Sequence, residues 1–239
     1  MKAAWLNGPI GKITGIRVVS FDADGTLWDF NKVMRLSLKR SLLELERIDP
    51  SAAAMLNVDK MIEIRERVAE EMAGRALNHE QIRLEAFRRT LREIGRPDDA
   101  LAGHLSEVYL RHRFGDIEPF EDALPALRAL GKRYKLGILS NGNSYPERCG
   151  LGSVFQFAVF SQDHGVEKPD PRIFRITLER AGCSKDELLH VGDSLESDVK
   201  GAVESGVRCV WLNRQGLVND TNIKVDYEVS SLLELLEIL

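Results

Sequence analysis

The segment IRVVSFDADGT, residues 16–26, ends an apolar run in two aspartates one residue apart, Asp22 and Asp24, followed by Gly25 and Thr26. Two other apolar runs stop in the same way. YKLGILS delivers Ser140, with Asn141 after it, and LLHVGD delivers Asp193. Carboxylates brought close together repel, and the pKa of at least one rises unless a cation compensates. A hard divalent ion is the natural partner: Mg²⁺ typically takes one or two protein carboxylates, keeps waters and completes its shell with a phosphate oxygen. Asp22, Asp24 and Asp193 suit that role. A further cation comes from GVEKPDPRIF, where Lys168 sits beside a helix N-terminus, so an ammonium and backbone N–H groups approach one point. Gly25 and Thr26 can expose backbone N–H groups in a tight turn, and Ser140 and Asn141 add side-chain donors. Metal, lysine and amides together could spread the charge of a transferring phosphoryl group.

Those residues need a scaffold that gathers strand ends. Residues 16–21, 134–140, 157–160, 188–193 and 207–213 read as apolar strands, alternating with helices from Pro119 onward. Continuous apolar runs suit strands covered on both faces, and the alternation predicts an α/β fold with a doubly wound, Rossmann-like parallel sheet. In such sheets ligands bind beyond the carboxyl ends of the strands, where Asp22, Ser140 and Asp193 all fall. Extended geometry would aim Asp22 and Asp24 in similar directions. Between the first strand and Pro119 the pattern turns helical, with four apolar stripes: Met34 to Leu45, Val58 to Met72, Leu84 to Ile94, and Leu101 to His112. Gly95 is a stop for the third and Asp98 an N-cap for the fourth. We therefore expect an α/β core domain from residues 1–29 and 115–239, with an inserted all-helical cap domain at 30–114. Further helices are expected at Pro171 to Ala181, capped by Asp170 and stopped by Gly182, at Val199 to Ser205, and as an amphipathic closing helix over SSLLELLEIL.

Composition narrows the partners. At 239 residues and 44% hydrophobic, the chain can bury one large core, or one core with an inserted smaller domain. Its 33 Lys plus Arg against 37 Asp plus Glu give a net charge of -4, without the basic field that nucleic acid binding needs. A small soluble ligand fits better. Cys149, Cys183 and Cys209 are odd in number and without CxxC spacing, so neither a disulfide framework nor a zinc site is expected. MKAAWLNGPIGKITG lacks a signal peptide's apolar core, and no run approaches the ~20 apolar residues of a membrane span. The expected protein is cytoplasmic, monomeric or homodimeric, with neither a membrane nor a nucleic acid as partner.

Taken singly, each motif has a structural reading. DxDG suits turns and calcium loops, SN and KP suit ordinary loops, and GDSLESD, residues 192–198, can cap a helix through Ser197 or Asp198. Taken in order, DADGT, SN at 140 and 141, KP at 168 and 169, and GDSLESD resemble the four motifs of the haloacid dehalogenase superfamily of aspartate-nucleophile phosphohydrolases. The resemblance spans about residues 16 to 213, and the helical insertion is similar to the C1-type cap of the phosphoglycolate-phosphatase-like branch. It implies that Asp22 attacks phosphorus to form an aspartyl-phosphate, and that Asp24 protonates the leaving alcohol and then activates water. It implies a Mg²⁺ site at Asp22, the Asp24 carbonyl and Asp193, with Asp198 assisting. Ser140, Asn141 and Lys168 would hold the phosphoryl oxygens and the nucleophile.

The function expected is a Mg²⁺-dependent phosphatase acting on a small phosphorylated metabolite. A 2-haloacid dehalogenase is the near alternative, disfavoured because those enzymes lack an acid/base aspartate at the position of Asp24. A phosphonatase would need a Schiff-base lysine from the cap, and neither Lys39 nor Lys60 has a recognisable context. A receiver-type signalling module also combines acidic residues, Ser/Thr and Lys on a parallel sheet, but has no use for a large insertion. His79, His104, His112, His164 and His190 show no ligand spacing. Hinges are expected near Asp29 to Asn31 and Phe114 to Pro119, and substrate choice in Arg65, Arg67, Arg75 or Arg83, or in Asn143 to Arg148.

Overall fold

A computed structural model describes residues 11–72 and 79–239. The chain divides into two compact units, one built from residues up to Trp28 together with Pro119–Leu239, the other from Asp29–Glu118. The junctions thus fall at 28/29 and 118/119, against the expected 29/30 and 114/115.

The first unit holds one sheet of six strands: β1 (Val18–Phe21), β2 (Lys135–Ser140), β3 (Phe157–Phe160), β4 (Leu188–Gly192), β5 (Arg208–Leu212) and β6 (Glu228–Val229). Their order is β3-β2-β1-β4-β5-β6 and every pairing is parallel. This is the doubly wound α/β arrangement expected from the alternation, and it reverses direction at β1, the natural crevice for a ligand. The apolar runs form strands because both faces are covered: Leu139, Val159, Leu188 and Trp211 pack with Ile173, Phe174, Val199 and Ala202 of the flanking helices. The helix Pro171–Ala181 has the expected bounds, with the Asp170 side chain accepting the Arg172 N–H and Gly182 in the left-handed region at φ 66°.

Three local features differ from the sequence reading. The strand β6, two residues long, lacks the apolar run that marks the other five. After β4 the chain does not wait until Val199 to turn helical. One π-helical turn, Leu195–Lys200, precedes a short α-helix, Gly201–Glu204, and the wider turn begins at Ser194, whose carbonyl accepts from both Asp198 N and Val199 N at 3.0 and 3.2 Å. Such turns are frequent at functional sites. The closing segment is a 3₁₀ turn, Leu232–Glu234, followed by Leu235–Ile238, in place of one amphipathic helix. Its start is tied down by Asp122, which accepts from both Ser231 Oγ and Leu232 N at 2.9 and 2.7 Å.

The second unit is all helical among the described residues: Phe30–Ile48, Pro50–Ala53, Val58–Glu71, His79–Glu93 and Asp99–Gly115. Asp29, Asn57 and Asp98 cap three of these by accepting the N–H of Lys32, Lys60 and Leu101, contacts each worth about 1 kcal/mol. The predicted stripes meet in one core of Met34, Leu38, Leu45, Met61, Phe87, Leu91, Leu105 and Tyr109. Arg75 lies outside the described residues, and among those described no helix is long and apolar enough to cross a membrane.

Candidate active site

Strand β1 hands its last pairing to Asp22, whose N–H donates to Val191 O at 2.8 Å, so this carboxylate emerges at the sheet's carboxyl edge beside β4. Opposite it stands Lys168, only 3% exposed. Its Nζ donates to Asp22 Oδ1 at 2.7 Å, Asp198 Oδ1 at 2.6 Å and Leu139 O at 2.9 Å, which engages all three ammonium protons. The lysine backbone is gripped from both sides by Asn141, whose Oδ1 accepts Lys168 N at 2.8 Å while Nδ2 donates to Lys168 O at 2.9 Å. Ser161 Oγ donates to the same Asn141 Oδ1 at 2.6 Å.

Asp198 is buried and engaged at both oxygens, accepting from Lys168, from His190 Nε2 at 3.0 Å and from Ser194 N at 3.0 Å. Burial lowers the pKa of His190, so the ring is neutral. A carboxylate only accepts, so Nε2 carries the proton and Nδ1 accepts from Ser20 Oγ at 2.9 Å. A buried chain of contacts thus runs from Ser20 through His190, Asp198 and Lys168 to Asp22. Burial alone would raise Asp198, but Lys168 and then His190 hold it well below the ordinary carboxylate range. Burial alone would lower Lys168, yet Asp198 and Asp22 drive it up. Asp22 goes the other way: burial prevails over Lys168, the charges of Asp198 and Asp193 add to it, and the carboxyl is pushed up to about 8.

Asp193 reaches solvent, and Thr26 Oγ1 donates to its Oδ1 at 3.2 Å. The protein around it, then the charge of Asp198, push it up to about 6. Oxygens of Asp22, Asp193 and Asp198 all lie within 4.8 Å of one another. The one ammonium bonds two of these three carboxylates, and burial first, then the charges of Asp198 and Asp193, keep Asp22 raised. A hard divalent cation fits this donor set. Gly25 is required beside it, since at φ 94° a Cβ would run into the Asp193 carboxylate.

A family model for haloacid dehalogenase-like hydrolases matches residues 16–206, which include every residue described above. The chain belongs to the haloacid dehalogenase-like hydrolases. It is 28% identical over 208 residues to the 5-amino-6-(5-phospho-D-ribitylamino)uracil phosphatase YigB of Escherichia coli (strain K12), covering 85% of each chain. It is 28% identical over 235 residues to the glyceraldehyde 3-phosphate phosphatase of Methanopyrus kandleri, covering 93% of this chain and 97% of that one. Among solved structures, the 2-haloacid dehalogenase from Pseudomonas syringae pv. Tomato DC3000 matches with a TM-score of 0.78 at 31% identity, over 93% of this chain and 97% of the other.

As a haloacid dehalogenase-like hydrolase, the chain uses several motif residues differently from the sequence reading. Asp24 does not point with Asp22. Past the strand end the chain turns, and the Asp24 carboxylate accepts from Trp28 Nε1 at 2.6 Å and Ser144 Oγ at 3.3 Å, outside the acidic trio. The Gly25 N–H is bonded to Trp28 O at 2.8 Å within that turn. Thr26 directs its hydroxyl at Asp193, and Asn141 spends its amide on the lysine backbone. Ser140 Oγ accepts the Gly142 N–H at 3.1 Å and keeps its own proton for donation. The sequence reading missed Ser20, His190 and Trp28 as contributors, and gave Ser144 only within the Asn143 to Arg148 run proposed for substrate choice. A signal existed for the first two, since each is a polar residue inside a run otherwise apolar.

The raised carboxyls carry a pH signature. Unfolded aspartates titrate at ~4, so the folded chain without metal holds a proton on Asp22 up to about pH 8, and on Asp193 up to about pH 6, that the unfolded chain has lost. Stability of the metal-free protein therefore falls as pH rises through that window, whereas the Asp198 contribution is lost only in stronger acid. A divalent ion held by this trio would compete with those same protons, so any rise in melting temperature on adding Mg²⁺ should be larger near pH 8 than near pH 5. Equal shifts at both ends, read by calorimetry against a chelated control, would remove the trio as the metal site.

Proposed function

We propose that the chain is a magnesium-dependent phosphomonoester hydrolase that cleaves a small phosphorylated metabolite through an aspartyl-phosphate on Asp22. The observation that carries this reading is the separation of two carboxylates two residues apart. Asp22 is fixed beside an ammonium in the acidic trio, and Asp24 is held apart by Trp28 and Ser144. One environment suits a nucleophile and the other an acid/base, the kind of division by which paired carboxylates take different roles.

Asp22 would attack phosphorus as the ester P–O bond breaks, and the leaving oxygen would take a proton from Asp24. Trp28 Nε1 and Ser144 Oγ both donate to Asp24 Oδ1, so in this reading Oδ2 would carry that proton. Asp24 would then remove a proton from water as the water oxygen attacks phosphorus, releasing inorganic phosphate and the Asp22 carboxylate. Ser140 would donate to a phosphoryl oxygen, while Lys168, oriented by Asn141, would hold Asp22 and offset charge. Bound at Asp22, Asp193 and Asp198, with Asp24 contributing only its main-chain carbonyl, Mg²⁺ would supply the positive charge that keeps Asp22 ionised and neutralises the ester. In this reading the helical unit serves as the cap domain, and the enzyme works in the cytoplasm, consistent with three cysteines not joined in disulfides.

The likeness to a 2-haloacid dehalogenase gives the second reading. Halide leaves without a proton and needs no general acid, so Asp24 and the acidic trio would have no task in it. Incubation with p-nitrophenyl phosphate and with 2-chloropropionate, each with and without Mg²⁺, separates the two. We expect phosphate release that depends on the ion. Chloride release independent of Mg²⁺, with no phosphate release, would replace the phosphatase by the dehalogenase.

A further inference from the structure

Within the helical unit a pocket of about 270 Å³, counted to its open mouth, is lined by Leu38, Met61, Ala86, Phe87, Thr90 and Tyr109 with two arginines, Arg65 and Arg83. Among the described residues that line it, none is acidic. Arg83 is 6% exposed, and its guanidinium lies 5.8 Å from the centre of the Tyr109 ring. Arg65 sets its guanidinium 5.9 Å from the Phe30 ring centre, and its Nε is buried with no hydrogen-bond partner. The Tyr109 hydroxyl, on a side chain 1% exposed, likewise has none. Thr90 is occupied, donating to Ala86 O at 2.8 Å.

A buried hydroxyl and a buried guanidinium N–H left without acceptors each forgo a hydrogen bond that folding otherwise secures. Around them stand two permanent positive charges on an apolar floor. Every group that needs a partner here is a donor, so what the pocket lacks is an acceptor with negative charge. Guanidinium groups match planar oxyanions, and charge-assisted bonds in a dry pocket are strong. The pocket has room inside for about one water-sized group, which suits a small monoanion.

We propose that this pocket is an anion-binding site for a small monoanion, met either by the carboxylate of an organic acid or by chloride, with Arg65 and Tyr109 as its donors. It lies wholly within the helical unit, and its test does not depend on the phosphatase reading. Sodium acetate and sodium chloride are titrated separately into the full chain in a zwitterionic buffer, without Mg²⁺, by calorimetry. The expected result is saturable one-to-one binding of at least one probe. Binding by acetate alone marks a carboxylate site, and binding by chloride alone marks a halide site.

Tyr109→Phe keeps the ring that packs edge-on against Phe87, at 6.1 Å between centres, so it folds and isolates the hydroxyl. It should weaken binding about tenfold, the size of one hydrogen bond to a charged group. Arg65→Met should abolish it, with the melting temperature unchanged or raised. Absence of saturable heat for both probes, or heat unaltered by both substitutions, overturns the proposal.

Discussion

Asp22→Asn should lower phosphate release from p-nitrophenyl phosphate by at least about a thousandfold, because removal of a nucleophile leaves only what binding and charge stabilisation supply. The amide oxygen can still accept from Lys168, and the substitution is nearly isosteric, so the site keeps its shape. It also deletes a charge that burial and two neighbouring carboxylates disfavour enough to push Asp22 up to about 8. The metal-free variant should accordingly melt no lower than the parent near neutral pH. Loss of turnover with an undiminished melting temperature assigns the effect to chemistry. Turnover within tenfold of the parent would show that phosphorus is attacked by some other group.

Lys168→Met should produce the largest loss of stability among the site residues. Its ammonium is the shared partner of two buried carboxylates and of Leu139 O. Breaking such a pair by deleting one member costs about 3–5 kcal/mol, because the other charge is left buried without compensation. Asp22 can escape by staying protonated, but Asp198 keeps only His190 and Ser194 N, so we expect the lower end of that range. For a chain of this size that is a fall of roughly 10 °C in melting temperature. Phosphatase activity should fall at least about a hundredfold, since the proposed nucleophile, Asp22, loses the contact that orients it. Thermal melts of the two proteins side by side decide the matter, and coincident curves would mean that the ammonium contributes no net stability.

The strands were legible in the sequence for one reason: a parallel strand covered on both faces is mostly apolar, so its end is marked where the apolar run gives way to consecutive polar residues and glycine. That is how Asp22, Ser140 and Asp193 could be placed at one sheet edge from residue types alone. Helix ends were legible where a cap has a distinctive residue, as at Asp98, Asp170 and Gly182. The rule failed at β6, which has only two residues, and after β4, where a π-helical turn formed ahead of the expected helix.

The sequence by itself determined the fold class, the order of the four motifs and the identity of the acidic, hydroxyl and ammonium groups at the carboxyl edge. Only the tertiary structure decided how those groups divide their work. Ser20 and His190 are 170 residues apart and face each other because β1 lies in register against β4. The same packing aims Asn141 at the backbone of Lys168, sets Thr26 against Asp193, and turns Asp24 toward Trp28 and Ser144. Hydrogen bonding is directional and short-ranged, so the partner of a polar side chain is settled by which backbones the sheet places within about 3 Å of it, and no spacing along the chain carries that information.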